Sequence, residues 1–275
     1  EGKLRLISFE DSGGSFGIKQ AIMPMIILTC LASKLSNKQV IWVEDRLEHL
    51  TAASSATGRL TKLRASINEK GLIEALDYDQ IDDVGAYPRA PEPASLYRMH
   101  GNLSGAYKVK NIRCRNRVVL TNKTPSGLNR GFGGPQHYFA LERLVHQIAV
   151  ELNLNVLDVI KVNLLEKKQF PYKSPSGALL DSGDFQKLVK KVVKSSTYKN
   201  ILKKKNNAIK NGKIYGIGYS AIIEPSISNM GYVTTALPYK DREKTGHKGG
   251  ALASTSVSIG PTGSVYVTCD SLPQG

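Results

Sequence analysis

The sequence predicts an α+β fold with largely antiparallel sheets, and three of its features point that way. Leu60–Asn68 alternates apolar and polar residues, turns at Glu69-Lys70-Gly71, and resumes as Leu72–Tyr78, the pattern of an antiparallel hairpin. From Tyr138 to Leu152 the apolar residues fall at 138, 141, 144, 145, 148 and 152, with Glu142, Arg143, His146, Gln147 and Glu151 opposite, which is a helical period. Strand-like and helix-like stretches follow one another without the strict alternation that a parallel sheet requires.

In chain order, Lys3–Phe9 alternates as a strand and runs into the glycine cluster Gly13-Gly14-Ser15-Phe16-Gly17. The apolar run Ala21–Ala32 carries Pro24 near its start, which predicts a buried helix over Ala21–Leu35; it is too short to span a bilayer. Gln39–Asp45 reads as a strand, and Asp79–Pro93, with its acids, glycine and prolines 88, 91 and 93, as a loop. Tyr107–Arg115 and Arg117–Thr121 are strand candidates. Leu128–Gln136 is a second glycine-rich loop, placed directly before the Tyr138–Leu152 helix, and a short helix over Val156–Leu165 comes after it. Gln169–Asp184 reads as loop. Lys213–Ile223, Ala251–Ile259 and Ser264–Cys269 read as strands, the last two joined by a turn at Gly260-Pro261-Thr262-Gly263. Asn153-Leu154-Asn155 interrupts the helical pattern and marks the expected boundary between a domain over 1–152 and a second over 153–275.

At 275 residues and 41% hydrophobic, the chain can bury a sizeable core. No signal peptide is legible, so a cytoplasmic location is expected. Cys30, Cys114 and Cys269 lack CxxC spacing, which argues against a disulfide framework, a zinc site or an iron–sulfur cluster held by this chain, and predicts free buried thiols in a reducing compartment. The net charge of +15 raises nucleic acid as a partner. Much of the excess, however, lies between Gln186 and Lys213, which hold ten lysines and no acid. Phe185, Leu188, Val189, Val192, Val193, Ile201 and Leu202 recur there at helical spacing, so the lysines form the outer face of a helix. Lysine without interleaved arginine and aromatic residues reads bases poorly. A solvated face, or one that docks an acidic partner, fits better.

Two loops are candidates for chemistry. Gly13-Gly14-Ser15-Phe16-Gly17-Ile18-Lys19 lies between a strand and a helix, where backbone amides can hold an anion. It has neither P-loop spacing nor GxGxxG, and a tight turn and a ligand cradle both remain open for it. Arg130-Gly131-Phe132-Gly133-Gly134-Pro135-Gln136 precedes a helix and carries the same two readings.

Together with Trp42-Val43-Glu44-Asp45-Arg46, Glu48-His49, Asp83-Val84-Gly85-Ala86-Tyr87, Gly105-Ala106-Tyr107, Thr121-Asn122, Leu180-Asp181-Ser182-Gly183-Asp184-Phe185, Gly216-Ile217-Gly218 with Glu224, and the terminal Ser271-Leu272-Pro273-Gln274-Gly275, these loops stand in an order that resembles the large subunit of the molybdenum hydroxylases, the xanthine dehydrogenase and aldehyde oxidase family. The resemblance runs along essentially the whole chain, and RGFGGPQ is its most specific element. It implies mixed sheet and helix layers holding a molybdopterin-type molybdenum cofactor, with or without an attached dinucleotide. It implies hydroxylation of an aldehyde or N-heterocycle with water as the oxygen source. Gly14, Ser15, Phe16, Gly17, Arg130 and Gly131 would line the cofactor, and Gln20, Arg98 and Phe132 the substrate. Gln20 stands where xanthine enzymes carry a glutamate, which weakens a purine reading. Gly131 stands where carbon monoxide dehydrogenases carry a cysteine, which disfavours their copper-dependent chemistry.

The family's general base lies downstream of the Gln-Gly segment with which this chain ends, so no catalytic residue and no protein metal ligand is assigned here, and Glu224 is read as structural. The isolated chain is expected to be incomplete and inactive. The remaining part of the large subunit, an iron–sulfur subunit and a flavin (FAD) subunit are the implied partners, with no membrane involvement. A catalytically inactive piece or scaffold of the same fold, binding an acidic partner, is the alternative.

Overall fold

The computed structural model describes residues 5, 7, 13–89, 98–224, 239–242 and 254–269. The expected strand at Lys3–Phe9 lies outside them, apart from residues 5 and 7. A short 3-10 turn at Ile18–Ala21 leads into α1 (Met23–Ser36), which is followed by α2 (Arg46–Ala52). Asp45 caps α2: its carboxylate accepts the Glu48 N–H at 2.8 Å, and the Glu48 carboxylate accepts the Asp45 N–H at 2.9 Å. Gln39–Asp45 is not a strand, because no neighbouring strand among the described residues takes up its hydrogen bonds.

The expected hairpin forms as β1 (Gly58–Ile67) and β2 (Ile73–Asp83), paired antiparallel. Its turn is built by Asn68, whose Oδ1 accepts the N–H groups of Lys70 and Leu72, both at 3.0 Å, with Gly71 at φ 74°. β2 runs to Asp83, so the first part of the expected Asp79–Pro93 loop is strand. The two strand candidates near 107–121 form one strand, β3 (Asn111–Val119), and it pairs parallel with β2. The sheet is therefore mixed, in the order β1-β2-β3. Its outer face is laced by Arg64 and Arg113 on Asp77 and by Arg117 on Asp79. Most strand pairings among the described residues are antiparallel, as expected, and the parallel β2–β3 pair is set by strand order, which alternation alone does not encode.

Alternation along β2 turns Leu76, Tyr78, Gln80 and Asp82 inward, all 2% exposed or less. Against that face pack α3 (Gly134–Glu151) and α4 (Val156–Asn163), giving one cluster of Ile73, Leu76, Tyr78, Tyr107, Leu141, Val145, Ile148, Val159, Ile160 and Leu164. α3 begins four residues before the expected Tyr138, because Gly133 at φ 77° and Pro135 in the first turn make the end of the glycine loop the helix start. Asn163 ties α4 to the hairpin: its side chain donates to Gly71 O at 2.8 Å and accepts the Ile73 N–H at 2.7 Å.

Beyond it, a small hairpin, β4 (Tyr172–Lys173) with β5 (Leu179–Leu180), occupies part of the expected loop. The lysine helix is two helices, α5 (Phe185–Lys194) and α6 (Ser196–Lys210), divided at Ser195, whose Oγ accepts the Tyr198 N–H at 3.2 Å. Lys213–Ile223 forms no ladder and is held instead by α3 side chains. α7 (Tyr239–Arg242) and the hairpin of β6 (Thr255–Ile259) and β7 (Val265–Cys269) follow, the latter with the expected Gly260–Gly263 turn. Two burial expectations are corrected. α1 has no buried residue, with Ile27, Leu28 and Leu35 among its exposed side chains, because its apolar faces find no cover among the described residues. The three cysteines are free, yet exposed. No helix of the described residues is long and apolar enough to cross a membrane.

Candidate functional site

The first glycine loop turns on four left-handed residues: Gly13 at φ 67°, Gly14 at 76°, Phe16 at 53° and Gly17 at 103°. Phenylalanine in that region is strained by about 1–2 kcal/mol, a cost that surrounding structure must impose. Ser15 closes the turn by accepting the Gly17 N–H on its Oγ at 3.2 Å and the Ile18 N–H on its carbonyl at 3.2 Å. Behind the loop, Glu44 binds Lys19 and holds His49 Nδ1 at 2.9 Å. Those two partners keep the Glu44 carboxyl below its ordinary range. Ser54 Oγ donates to Ile18 O at 3.1 Å. A cavity of about 40 Å³ remains there, lined in part by Ile18, Lys19, Trp42 and Glu44.

The second glycine loop lies directly against the first. Arg130 N–H donates to Phe16 O at 2.7 Å. A Cβ on Gly17 would stand 3.1 Å from Leu128 O, so the closeness of the two backbones depends on glycine at that position. The loop's base is fixed by a further close approach, in which a Cβ on Gly85 would stand 2.4 Å from Thr124 O. Asp83 anchors that region by accepting the Gly85 N–H at 2.9 Å and the Thr121 hydroxyl at 2.6 Å, and it pairs with Lys123 at 2.8 Å. Led by Lys123, these contacts hold its carboxyl at about 2.

Arg98 and Phe132, expected on the substrate side, are in contact. The guanidinium sits 4.6 Å from the Phe132 ring centroid, and its Nη1 donates to Phe132 O at 2.9 Å. Its Nη2 donates to Glu224 Oε1 at 2.5 Å. The Glu224 carboxylate lies over the start of α3: a Cβ on Gly134 would meet its Oε2 at 3.0 Å, and one on Gly131 its Oε1 at 3.7 Å. Glu224 is delivered there by the 213–224 segment, which α3 grips at three points. Tyr138 donates its hydroxyl to Ile223 O at 2.5 Å, the Ala221 N–H donates to Glu142 at 2.9 Å, and His146 Nε2 lies 2.7 Å from Tyr219 O. Burial raises the Glu142 carboxyl, against the opposing Ala221 and Tyr107 hydrogen bonds.

Gly14, Ser15, Phe16, Gly17, Arg130, Gly131, Phe132 and Arg98 thus belong to one neighbourhood around the two joined loops. Gln20 sits in the Ile18–Ala21 turn beside it, its side chain outside the described set. Glu224, read from the sequence as structural, joins this neighbourhood through its pairing with Arg98, a contact the sequence reading did not foresee. Its separation from Arg98 by 126 residues leaves no local signal. Also unanticipated is the buried polar cluster beneath the second loop: Gln80, Asp82 and His137 are fully buried, and His137 stacks on Tyr78 at 5.7 Å. Among the described residues no group of three or more His, Cys, Asp or Glu could hold a metal ion.

The molybdopterin cofactor-binding domain family profile matches residues 1–164. The chain is 31% identical over 204 residues to the carbon monoxide dehydrogenase large chain of Hydrogenophaga pseudoflava, covering 72% of this chain and 25% of that one. It is 29% identical over 224 residues to the nicotine 6-hydroxylase large subunit of Paenarthrobacter nicotinovorans, covering 80% of this chain and 27% of that one. Quinoline 2-oxidoreductase from Pseudomonas putida 86 superposes with a TM-score of 0.73 at 26% identity, covering 92% of this chain and 31% of that one. The chain therefore spans about a quarter of the curated relatives it matches.

Proposed function

This chain belongs to the molybdopterin cofactor-binding domain family, and from that premise we propose that it forms one side of the cofactor cleft in a molybdenum-dependent hydroxylase. The reaction would be oxidation of an N-heterocycle or aldehyde, with water as the oxygen source. Electrons would leave through iron–sulfur and flavin partner subunits. The observation that carries the reading is the Arg130-to-Phe16 backbone hydrogen bond, which makes one wall of two glycine loops separated by more than a hundred residues.

That wall suits a pterin. A flat polar heterocycle with an anionic tail needs backbone to approach closely and without side chains in the way. Gly14 and Gly131, both at positive φ, offer such backbone, and Ser15 and Arg130 add polar groups. Residues 14–17, 130 and 131 would hold the cofactor, which when bound supplies the two-electron redox centre. Gln20, Arg98 and Phe132 would orient the substrate, with aromatic area restricting its plane at little entropic cost. Two relatives are named for heterocyclic substrates, nicotine and quinoline, which favours an N-heterocycle. Gly131 in place of a cysteine argues against carbon monoxide. The residues named here include no general base, so the chain by itself would be inactive, and the rest of the large subunit would complete it.

The test is to purify the complex that contains this chain, measure its molybdenum and pterin content, and follow oxygen from isotopically labelled water into the hydroxylated product. Stoichiometric molybdenum and label in the product are expected. A complex replete with another cofactor and free of molybdenum sinks the proposal.

A further inference from the structure

Resting on that reading of the cleft, we infer that Glu224 determines specificity: it turns a wall that would attract carboxylates into one that prefers neutral or cationic, donor-bearing ligands. An arginine at the substrate side suggests an anion partner, since a guanidinium offers a carboxylate two parallel donors. Here the guanidinium is engaged on three sides. Nη2 donates to Glu224 Oε1 at 2.5 Å, Nη1 to Phe132 O at 2.9 Å, and the cation lies over the Phe132 ring. The Arg98 side chain is 6% exposed, whereas that of Glu224 is 41% exposed. Of the pair, it is the carboxylate that solvent reaches.

The placement of Glu224 is built, not incidental. Glycine at 134 leaves the room that its Oε2 occupies, since a Cβ there would crowd the oxygen at 3.0 Å. The start of α3 lends partial positive charge to the same carboxylate. Two attractions, the α3 N-terminus and Arg98, are thus both answered from within the chain. An incoming carboxylate would have to displace Glu224 and leave it beside a like charge, whereas an amine, an amidinium or a ring N–H meets an acceptor with an open face. Phe132, in contact with the Arg98 guanidinium, then stands beside the flat part of such a ligand.

Paired probes of one shape and opposite charge test this: benzamidine and benzoate, with benzamide as the neutral member. Their dissociation constants are measured by calorimetry on the assembled, cofactor-loaded complex, for the parent and for Glu224→Gln and Glu224→Asp. The parent prefers benzamidine. Glu224→Gln, which keeps the shape and removes the charge, moves the benzamidine-to-benzoate ratio toward benzoate by about tenfold or more, benzamide changing little. Glu224→Asp retains the parent's order. If the probes bind and Glu224→Gln leaves the ratio where it was, the specificity role is wrong while the cleft stands. If no probe binds the loaded complex at all, or binding is indifferent to Phe132→Ala, the cleft assignment itself fails, and this inference with it.

Discussion

Along one strand the core changes character. At its first half, β2 places Ile73 and Leu76 in an apolar cluster with Val145, Ile148 and Val159. At its second half, Gln80 and Asp82 are equally buried, and the groups around them are Arg59, Asn116, His100 and His137. Arg59 grips Asp82 with two donors at 2.6 and 2.8 Å. Yet among the described residues Gln80 Nε2, Ser104 Oγ and both ring nitrogens of His137 are buried without a hydrogen-bond partner. The apolar half underlies the C-terminal part of α3; the polar half underlies its first turn, where the His137 N–H donates to Gly133 O of the second glycine loop at 3.2 Å. The difference teaches where this fold keeps its stability and where it gives some up: packing is best away from the loops, and the polar, imperfectly satisfied half supports them.

That contrast can be broken most sharply at its one strong polar element. Asp82→Asn should destabilise the fold by about 3–5 kcal/mol, because it removes the carboxylate charge that two donors of the buried Arg59 guanidinium hold. Denaturant unfolding measures it, and a loss below 1 kcal/mol would mean that the polar half is wetter than its burial indicates. In the apolar half, Leu141→Ala should cost about 3 kcal/mol through lost transfer energy and a residual cavity, with the slope of unfolding unchanged.

The polar half should also make the protein acid-labile. Burial, with Arg59 nearby, pushes the His137 imidazole down to about 3 and the His100 imidazole to about 4, against an ordinary 6.5. Both folded values lie below the unfolded one, so the stabilisation is complete above pH 6.5. It is lost as pH falls from 6.5 toward 4 for His100 and toward 3 for His137, by up to about 1.4 kcal/mol per pH unit for each histidine. A pH series of unfolding midpoints reads this, and a flat profile between pH 7 and 5 contradicts it. The smallest effect sharpens the comparison most. His137→Phe removes the unpartnered nitrogens and keeps the aromatic shape, so it should change stability at pH 7 by less than about 1 kcal/mol while removing one histidine's share of the acid slope.

How far the sequence revealed all this follows from the range of each signal. The hairpin, α3 and the two glycine loops were legible because their signals are local: period 2, period 3.6, and glycine where positive φ is required. The joining of the loops was legible only through resemblance, since nothing in either loop states that Arg130 will meet Phe16. The parallel partnership of β3, the unpaired Gln39–Asp45 segment and the exposed α1 escaped because each depends on what lies alongside, not on the segment itself. The pairing of Glu224 with Arg98 escaped for the same reason, compounded by a chain separation that no window spans. Gln80 and His137 look like ordinary polar residues until β2 alternation and the first turn of α3 turn them inward.

The account stands or falls on whether the joined loops hold the cofactor. Gly131 and Gly177 both have left-handed backbone, at φ 74° and 107°, and Gly177 lies in open space in the Tyr172–Leu180 hairpin. Valine at either position imposes similar backbone strain, so Gly177→Val controls for strain in Gly131→Val. The decisive measurement is molybdenum and pterin content per assembled complex for the two variants. We expect Gly131→Val to lose most of its cofactor and Gly177→Val to keep a full complement. Equal content in both, with both folded, would place the cofactor elsewhere.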